Sequence, residues 1–150
     1  MHACVASGAA FLICVLWFDL MFDVQTRNHE GNALPTEVLA SISSYYRRVT
    51  IEAYPMNRLI AVVMVLTVIA ILTEIVRNVD HWWIGWISLA AAVSAIGLAR
   101  MRTIPNAARL GRAKGSIEAQ TTLARAIYRD HLYCIAAIAV VLGLQLTAAL

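Results

Sequence analysis

Four long apolar segments dominate the pattern of hydrophobic and polar positions along this 150-residue chain. A helix of about 20 apolar residues is long enough to cross the hydrocarbon core of a bilayer. The pattern therefore predicts an all-α integral membrane protein, a single four-helix membrane domain in which the transmembrane helices form two hairpins. The predicted spans are residues 3–22, 59–76, 82–99 and 132–150.

The polar segments between these spans, residues 23–58 and 100–131, are predicted to be basic loops that contain amphipathic helical segments. In the first segment, four apolar residues recur at spacings of four, three and four, which is a helical period. In the second, Ser116 is a suitable helix N-cap, so the fourth long helix is expected to begin near Ile117. The apolar residues of the first segment are Val38, Ile42, Tyr45 and Val49.

The composition strengthens the membrane interpretation. Hydrophobic residues make up 61% of the chain and charged residues 14%, and the mean hydropathy is +0.71. Soluble domains are closer to half apolar and a quarter charged. The formal charge is +3, but the basic residues flank apolar segments. We therefore expect the lipid bilayer as the partner, with anionic lipid at the basic face and no nucleic acid.

The distribution of basic residues predicts the topology. Four spans place the two polar segments on the same side of the membrane, and eleven of the 12 Lys and Arg residues lie there. The positive-inside rule assigns that side to the cytoplasm and both termini to the outside. The compact architecture and the richness in Ala, Val and Leu indicate a bacterial inner membrane. The eleven residues are Arg27, Arg47, Arg48, Arg58, Arg100, Arg102, Arg109, Arg112, Lys114, Arg125 and Arg129.

Two carboxylates in the stretch LWFDLMFD need a physical reason. Asp19 and Asp23 lie one helical turn apart at the cytoplasmic end of the first span. A mid-membrane Asp costs roughly 2.5–3.5 kcal/mol on insertion scales, and less near an interface, so Asp19 is expected to face the bundle and to have a partner. The other spans carry polar groups at the same depth. These candidates are Asn57, Arg58, Arg100, Arg102, Arg129, Asp130, His131 and Cys134.

The polar cluster allows three interpretations. Arginines that pair with Asp19 and Asp23 would make it a structural set of ion pairs. Alternatively, Asp19, Asp23 and His131 would bind a divalent metal, because carboxylate and imidazole ligands suit Fe, Mn or Zn. In the third interpretation, Asp19 or His131 carries a proton.

No motif assigns a reaction, and the sequence leaves open whether the protein is an enzyme. The first hypothesis is a binding or accessory subunit, in a homo-oligomer or a larger membrane complex. The alternative is a small membrane-embedded, metal-dependent oxidoreductase that acts on a hydrophobic substrate. The third is a proton- or ion-coupled transporter, with Glu74 as an outer acid and Asp19 as an inner one.

Several polar residues also have simple structural explanations. Glu74 is expected to pair with Arg77 or to reach the outer interface. Gln145 is expected to form a hydrogen bond with another helix. The tyrosines are expected to anchor the chain at the interface, and the aromatic run His81 to Trp86 is expected to form an outer belt.

Overall fold

A computed structural model of the chain describes residues 1–77 and 82–149, without the side chains of residues 54–56. Throughout these ranges the ordered elements are helices. His81 of the predicted aromatic belt and Leu150 of the predicted fourth span lie outside the described residues. The α-helices are α1 (His2–Asp23), α2 (Thr36–Arg47), α3 (Tyr54–Val76), α4 (Trp82–Leu98), α5 (Ile104–Gly111) and α6 (Ile117–Ala148).

Four helical segments are long and apolar enough to cross a membrane: His2–Asn28, Asn57–Val76, Trp82–Gly111 and Ile117–Ala148. They contain α1, α3, α4 together with α5, and α6. The predicted helices are therefore confirmed as helices. The start of α6 is confirmed as well, because the Ser116 hydroxyl accepts a hydrogen bond from the Ala119 N–H. With 32 residues, α6 is about 48 Å long at 1.5 Å per residue. That length exceeds the roughly 30 Å hydrocarbon core of a bilayer.

The four long helices form a bundle around an apolar core. α1 contacts α3 and α6, and α4 contacts the same two helices. The contacts thus run around a ring and do not by themselves divide the bundle into two hairpins. Small side chains of α4 face inward, which permits close approach of its neighbours. The buried core residues are Val5, Ala9, Leu12, Ile71, Ala92, Ala95, Cys134, Ile138 and Val141.

A second apolar core lies at one end of the bundle. It is formed by α2, α5, and the first turns of α6, and we call this region the α2–α5 layer. The predicted amphipathic stripe faces this core: Ile42 is fully buried, and Val38, Tyr45 and Val49 pack against it. Its buried residues are Leu34, Leu39, Ile42, Tyr46, Ala107, Leu110, Ala124 and Ile127.

The ends of α2 and α5 meet at backbone distance. A Cβ atom added to Gly111 would lie 2.7 Å from the backbone nitrogen of Arg47 and 2.9 Å from the carbonyl carbon of Tyr46. Glycine is required there because any side chain would occupy the space of the α2 backbone. This contact fixes the position of the end of α2 and, with it, the positions of Tyr45 and Tyr46.

Candidate functional site

Five polar side chains meet where α1, α2 and α6 come together. We call this group the Asp–His–Tyr cluster. It lies between the core of the four-helix bundle and the core of the α2–α5 layer. Its members are Asp19 and Asp23 on α1, Tyr45 and Tyr46 on α2, and His131 on α6.

Asp23 is at the centre of the cluster, with no solvent-exposed surface. Its Oδ1 accepts a hydrogen bond from the Tyr46 hydroxyl at 2.6 Å, and its Oδ2 lies 2.7 Å from His131 Nδ1. An ionised carboxylate only accepts hydrogen bonds, so His131 Nδ1 is the donor of this bond when Asp23 is ionised. Both carboxylate oxygens are therefore satisfied inside the chain.

Asp19 occupies the other side of the histidine ring. Its Oδ1 accepts a hydrogen bond from the Tyr45 hydroxyl at 2.7 Å, and its Oδ2 is 3.8 Å from His131 Nε2. The imidazole thus lies between two carboxylates, one at each ring nitrogen. Protonation of His131 would offset one of the two negative charges.

The tyrosine hydroxyls are held in their protonated form. Burial, followed by the nearby charge of Asp23, raises the pKa of Tyr46 well above its ordinary value near 10. Burial and the Asp19 carboxylate raise the pKa of Tyr45 in the same direction. A tyrosinate beside a carboxylate would place two like charges together. Both hydroxyls therefore remain hydrogen-bond donors at neutral pH.

The raised tyrosine pKa values predict a loss of stability at alkaline pH. Unfolded tyrosine ionises near pH 10, whereas folded Tyr46 keeps its proton there. Above pH 10 the unfolded state is therefore favoured by about 1.4 kcal/mol per pH unit for each such tyrosine. Melting curves in detergent should show a shallower alkaline decline for Tyr46→Phe than for the wild type. Tyr128→Phe, which lies outside the cluster, is the control and should decline as the wild type does.

The arginines expected beside the two aspartates are placed elsewhere. Arg102 Nε lies 3.3 Å from Asp130 Oδ2, and the Thr103 hydroxyl bonds the same oxygen at 3.3 Å. Arg100 and Arg129 are exposed. The positions that the ion-pair interpretation assigned to arginines are taken by His131 and the two tyrosines. The expectation of arginine partners is therefore wrong for Arg102, whose partner is Asp130.

Two other predicted members of the cluster, Cys134 and Asn57, have their partners outside it. The Cys134 thiol is in the bundle core and donates to the carbonyl oxygen of Ala95 at 3.6 Å. Asn57 is exposed, and its side chain donates to the carbonyl oxygen of Thr50 at 3.4 Å. Arg58 is also exposed. The polar ends of the spans therefore converge only in part.

The structure does bring Asp19, Asp23 and His131 together, as the sequence predicts. Within residues 1–77 and 82–149, no group of three His, Cys, Asp or Glu side chains is arranged to hold a metal ion. Both oxygens of Asp23 are already bonded to Tyr46 and His131. A divalent metal at these three residues stays a prediction.

A second polar cluster lies at the opposite end of the bundle. We call it the Glu74 cluster, and it joins all four long helices through His2, Glu74, Ser88 and Gln145. Gln145 Nε2 donates to Glu74 Oε1 at 3.3 Å and to the Ser88 hydroxyl oxygen at 3.2 Å. His2 Nδ1 lies 2.8 Å from Gln145 Oε1 and 3.4 Å from Glu74 Oε1.

The Glu74 cluster corrects one expectation and confirms another. Glu74 is only 4% exposed and is bonded to Gln145, with His2 beside it, while Arg77 is exposed. Its predicted pairing with Arg77 or the interface is therefore wrong. The prediction that Gln145 would bond to another helix is confirmed.

Two sets of cluster residues escaped the sequence analysis. His2 precedes Val5, Ala9 and Leu12 at spacings of three, four and three, so it shares their buried face. The spacing of these residues could therefore have predicted that His2 faces the bundle core. Tyr45 and Tyr46 were interpreted as interface anchors, yet their hydroxyls bond to Asp19 and Asp23. Because Tyr45 lies on the apolar stripe of α2, the sequence indicated that its side chain faces the core.

Comparison with known proteins finds no matching family model, no matching curated protein and no matching solved structure.

Proposed function

We propose that the chain is an integral protein of the bacterial inner membrane with both termini outside the cytoplasm. In this arrangement α1, α3, α4 and the C-terminal part of α6 cross the bilayer, and the α2–α5 layer lies at the cytoplasmic surface. Large apolar side chains on the outside of the bundle support the proposal, because water-exposed apolar patches of this kind are unusual in soluble monomers. Trp17 and Phe18, for example, are each 62% exposed.

Within that setting, the function we propose is that of a binding or accessory subunit. The observation that carries it is the pair of hydrogen bonds that Asp23 forms, one with Tyr46 and one with His131. These bonds hold the α2–α5 layer against the bundle and use the polar atoms that a metal or a substrate would otherwise contact. The Asp–His–Tyr cluster is thus a structural junction that presents the α2–α5 layer at the membrane surface.

The outer face of the α2–α5 layer supplies the binding surface in this proposal. Five of its six exposed charged side chains are basic, which suits an acidic partner better than a basic one. Homo-oligomers and larger membrane complexes are both compatible with such a surface. The exposed charged residues are Glu37, Arg47, Arg48, Arg109, Arg112 and Lys114.

The apolar core of the four-helix bundle gives less support to transport through a single bundle. The two polar clusters are separated along α1 by about 17 residues, or about 25 Å at 1.5 Å per residue. Between them lie buried apolar side chains, among them Leu12, Ala95 and Ile138. An ion that crossed this layer would lose its hydration without a polar replacement.

Labelling of single cysteines tests both parts of the proposal. In a chain without Cys4, Cys14 and Cys134, an impermeant maleimide should label Arg77→Cys in intact cells. Lys114→Cys should react only after permeabilisation. If a partner covers the α2–α5 layer, Glu37→Cys should react several-fold more slowly in native membranes than in the purified protein.

The outcomes separate the topology from the function. Labelling of Lys114→Cys but not Arg77→Cys in intact cells would reverse the proposed orientation. Labelling of both without permeabilisation would argue against the four-span arrangement. A reaction rate at Glu37→Cys that is the same in native membranes and in purified protein would contradict a partner on the α2–α5 layer.

A further inference from the structure

An open basic cavity lies beside the Asp–His–Tyr cluster, between α6 and the 3-10 helix Val24–Asn28 that follows α1. We call it the arginine cavity. Its volume is about 350 Å³, which is within the range of small-ligand sites. The lining residues are Thr26, Arg27, Thr122, Arg125, Tyr128 and Arg129.

The charges of the arginine cavity are uncompensated. Among the described residues, none of its three arginines forms a salt bridge with a carboxylate, whereas Arg47 and Arg102, which pair with Glu52 and Asp130, lie outside the cavity. Arg125 Nη2 donates to the carbonyl oxygen of His29 at 3.0 Å, which positions this guanidinium before any ligand arrives. Guanidinium groups bind phosphate with paired, directional hydrogen bonds. The cavity therefore has the charge and the donors of a phosphate site.

The surface next to the cavity is apolar. Along α6, residues Arg125, Arg129, Leu132, Ala136 and Ala139 follow one another at spacings of four, three, four and three, so they share one helix face. Leu132 is 43% exposed, and the two alanines are exposed as well. An uncovered apolar stripe thus begins less than one turn from the cavity. A soluble anion would leave this stripe uncovered, whereas a lipid would cover it.

We propose that the arginine cavity binds the phosphate headgroup of an anionic phospholipid, with an acyl chain along the Leu132–Ala139 face of α6. The site rests on the proposed function, because it requires α6 to enter the bilayer from the basic side. Its floor is connected to the Asp–His–Tyr cluster: buried Thr26 donates from its hydroxyl to the carbonyl oxygen of Asp23 at 2.8 Å. A bound headgroup therefore stabilises the junction of α1 with α6.

Binding to the purified full-length protein in mild detergent tests this site. The probes are short-chain phosphatidylglycerol, phosphatidylcholine of the same chain length, and inorganic phosphate. Phosphatidylglycerol should bind at least about tenfold more tightly than phosphatidylcholine and should raise the melting temperature. Arg125→Gln/Arg129→Gln should weaken its binding by about 25-fold, because each arginine near a headgroup contributes about a fivefold effect. Arg109→Gln/Arg112→Gln removes the same charge outside the cavity and should change the affinity by less than about twofold.

The other outcomes overturn the assignment. Equal losses in the two double variants would indicate diffuse attraction to the basic surface. Saturation by inorganic phosphate at the same affinity as phosphatidylglycerol would make the ligand a soluble phosphate. If the double variant fails to fold, Arg27→Gln, at an exposed position of the 3-10 helix, tests the same site, with an expected loss of about fivefold. The binding assay is done in detergent and does not depend on the orientation in the membrane. If lipid binding is absent but the cysteine labelling is as expected, only the lipid site is rejected. Failure of both rejects the membrane orientation as well.

Discussion

Replacement of Asp23 by alanine is expected to lower the free energy of unfolding by about 3–5 kcal/mol, the usual cost of removing one member of a buried charged pair. Asp23 is fully buried. One of its carboxylate oxygens accepts a hydrogen bond from the Tyr46 hydroxyl at 2.6 Å, and the other lies 2.7 Å from His131 Nδ1. Without the carboxylate, both donors would remain buried with no acceptor. Each such orphaned donor costs about 1–3 kcal/mol. The effect is large because one residue satisfies partners on two other helices.

Thermal and denaturant unfolding in detergent would measure the loss, with Glu37→Gln as the control. Glu37 is an exposed carboxylate on α2, so its substitution should change stability by less than about 0.5 kcal/mol. Adding Tyr46→Phe to Asp23→Ala should cost little more, because the hydroxyl would already have lost its partner.

The same samples decide between the structural junction and the metal alternative. Metal analysis of the wild type and of Asp23→Ala would show stoichiometric metal only in the wild type if the oxidoreductase hypothesis is right. A stable Asp23→Ala variant that has lost such a metal would contradict the structural role that we propose for the cluster.

Gly111→Ala should destabilise the α2–α5 layer by about 1–3 kcal/mol, the usual cost of forcing extra atoms into a packed site. The added methyl group would lie 2.7 Å from the backbone nitrogen of Arg47. Backbone atoms cannot rotate away as a flexible side chain can, so the end of α2 must move. This movement would pull Tyr46 away from Asp23. The local clash would therefore weaken the Asp–His–Tyr cluster as well.

Gly143→Ala is the matched control for this substitution. Nothing lies within 4 Å of a Cβ atom added at Gly143, and alanine favours a helix over glycine by about 1 kcal/mol. This variant should match the wild type or exceed its stability. Amide hydrogen exchange should then show faster opening of α2 in Gly111→Ala alone. A Gly111→Ala variant with wild-type exchange along α2 would contradict the tight contact.

The amphipathic character of α2 shows what a local sequence pattern can predict and what it cannot. The spacing from Val38 to Val49 predicts a helix with one apolar face, and that face does pack on a core. The spacing cannot say which element supplies the opposite surface. The structure places α5 and the start of α6 there. It also places Gly111 where the backbone of α2 leaves no room for a side chain.

The four apolar helices and the start of α6 followed from the sequence by itself, because hydrophobic runs and N-caps act over a few neighbouring residues. The proximity of Asp19, Asp23 and His131 was also predictable, since all three lie at the same end of their spans. Only the tertiary structure decided their partners. The bonds of Asp23 to Tyr46 and to His131 connect residues separated by 23 and 108 positions. Such pairs depend on how the helices rotate about their axes as they pack, and that rotation is set by the whole core.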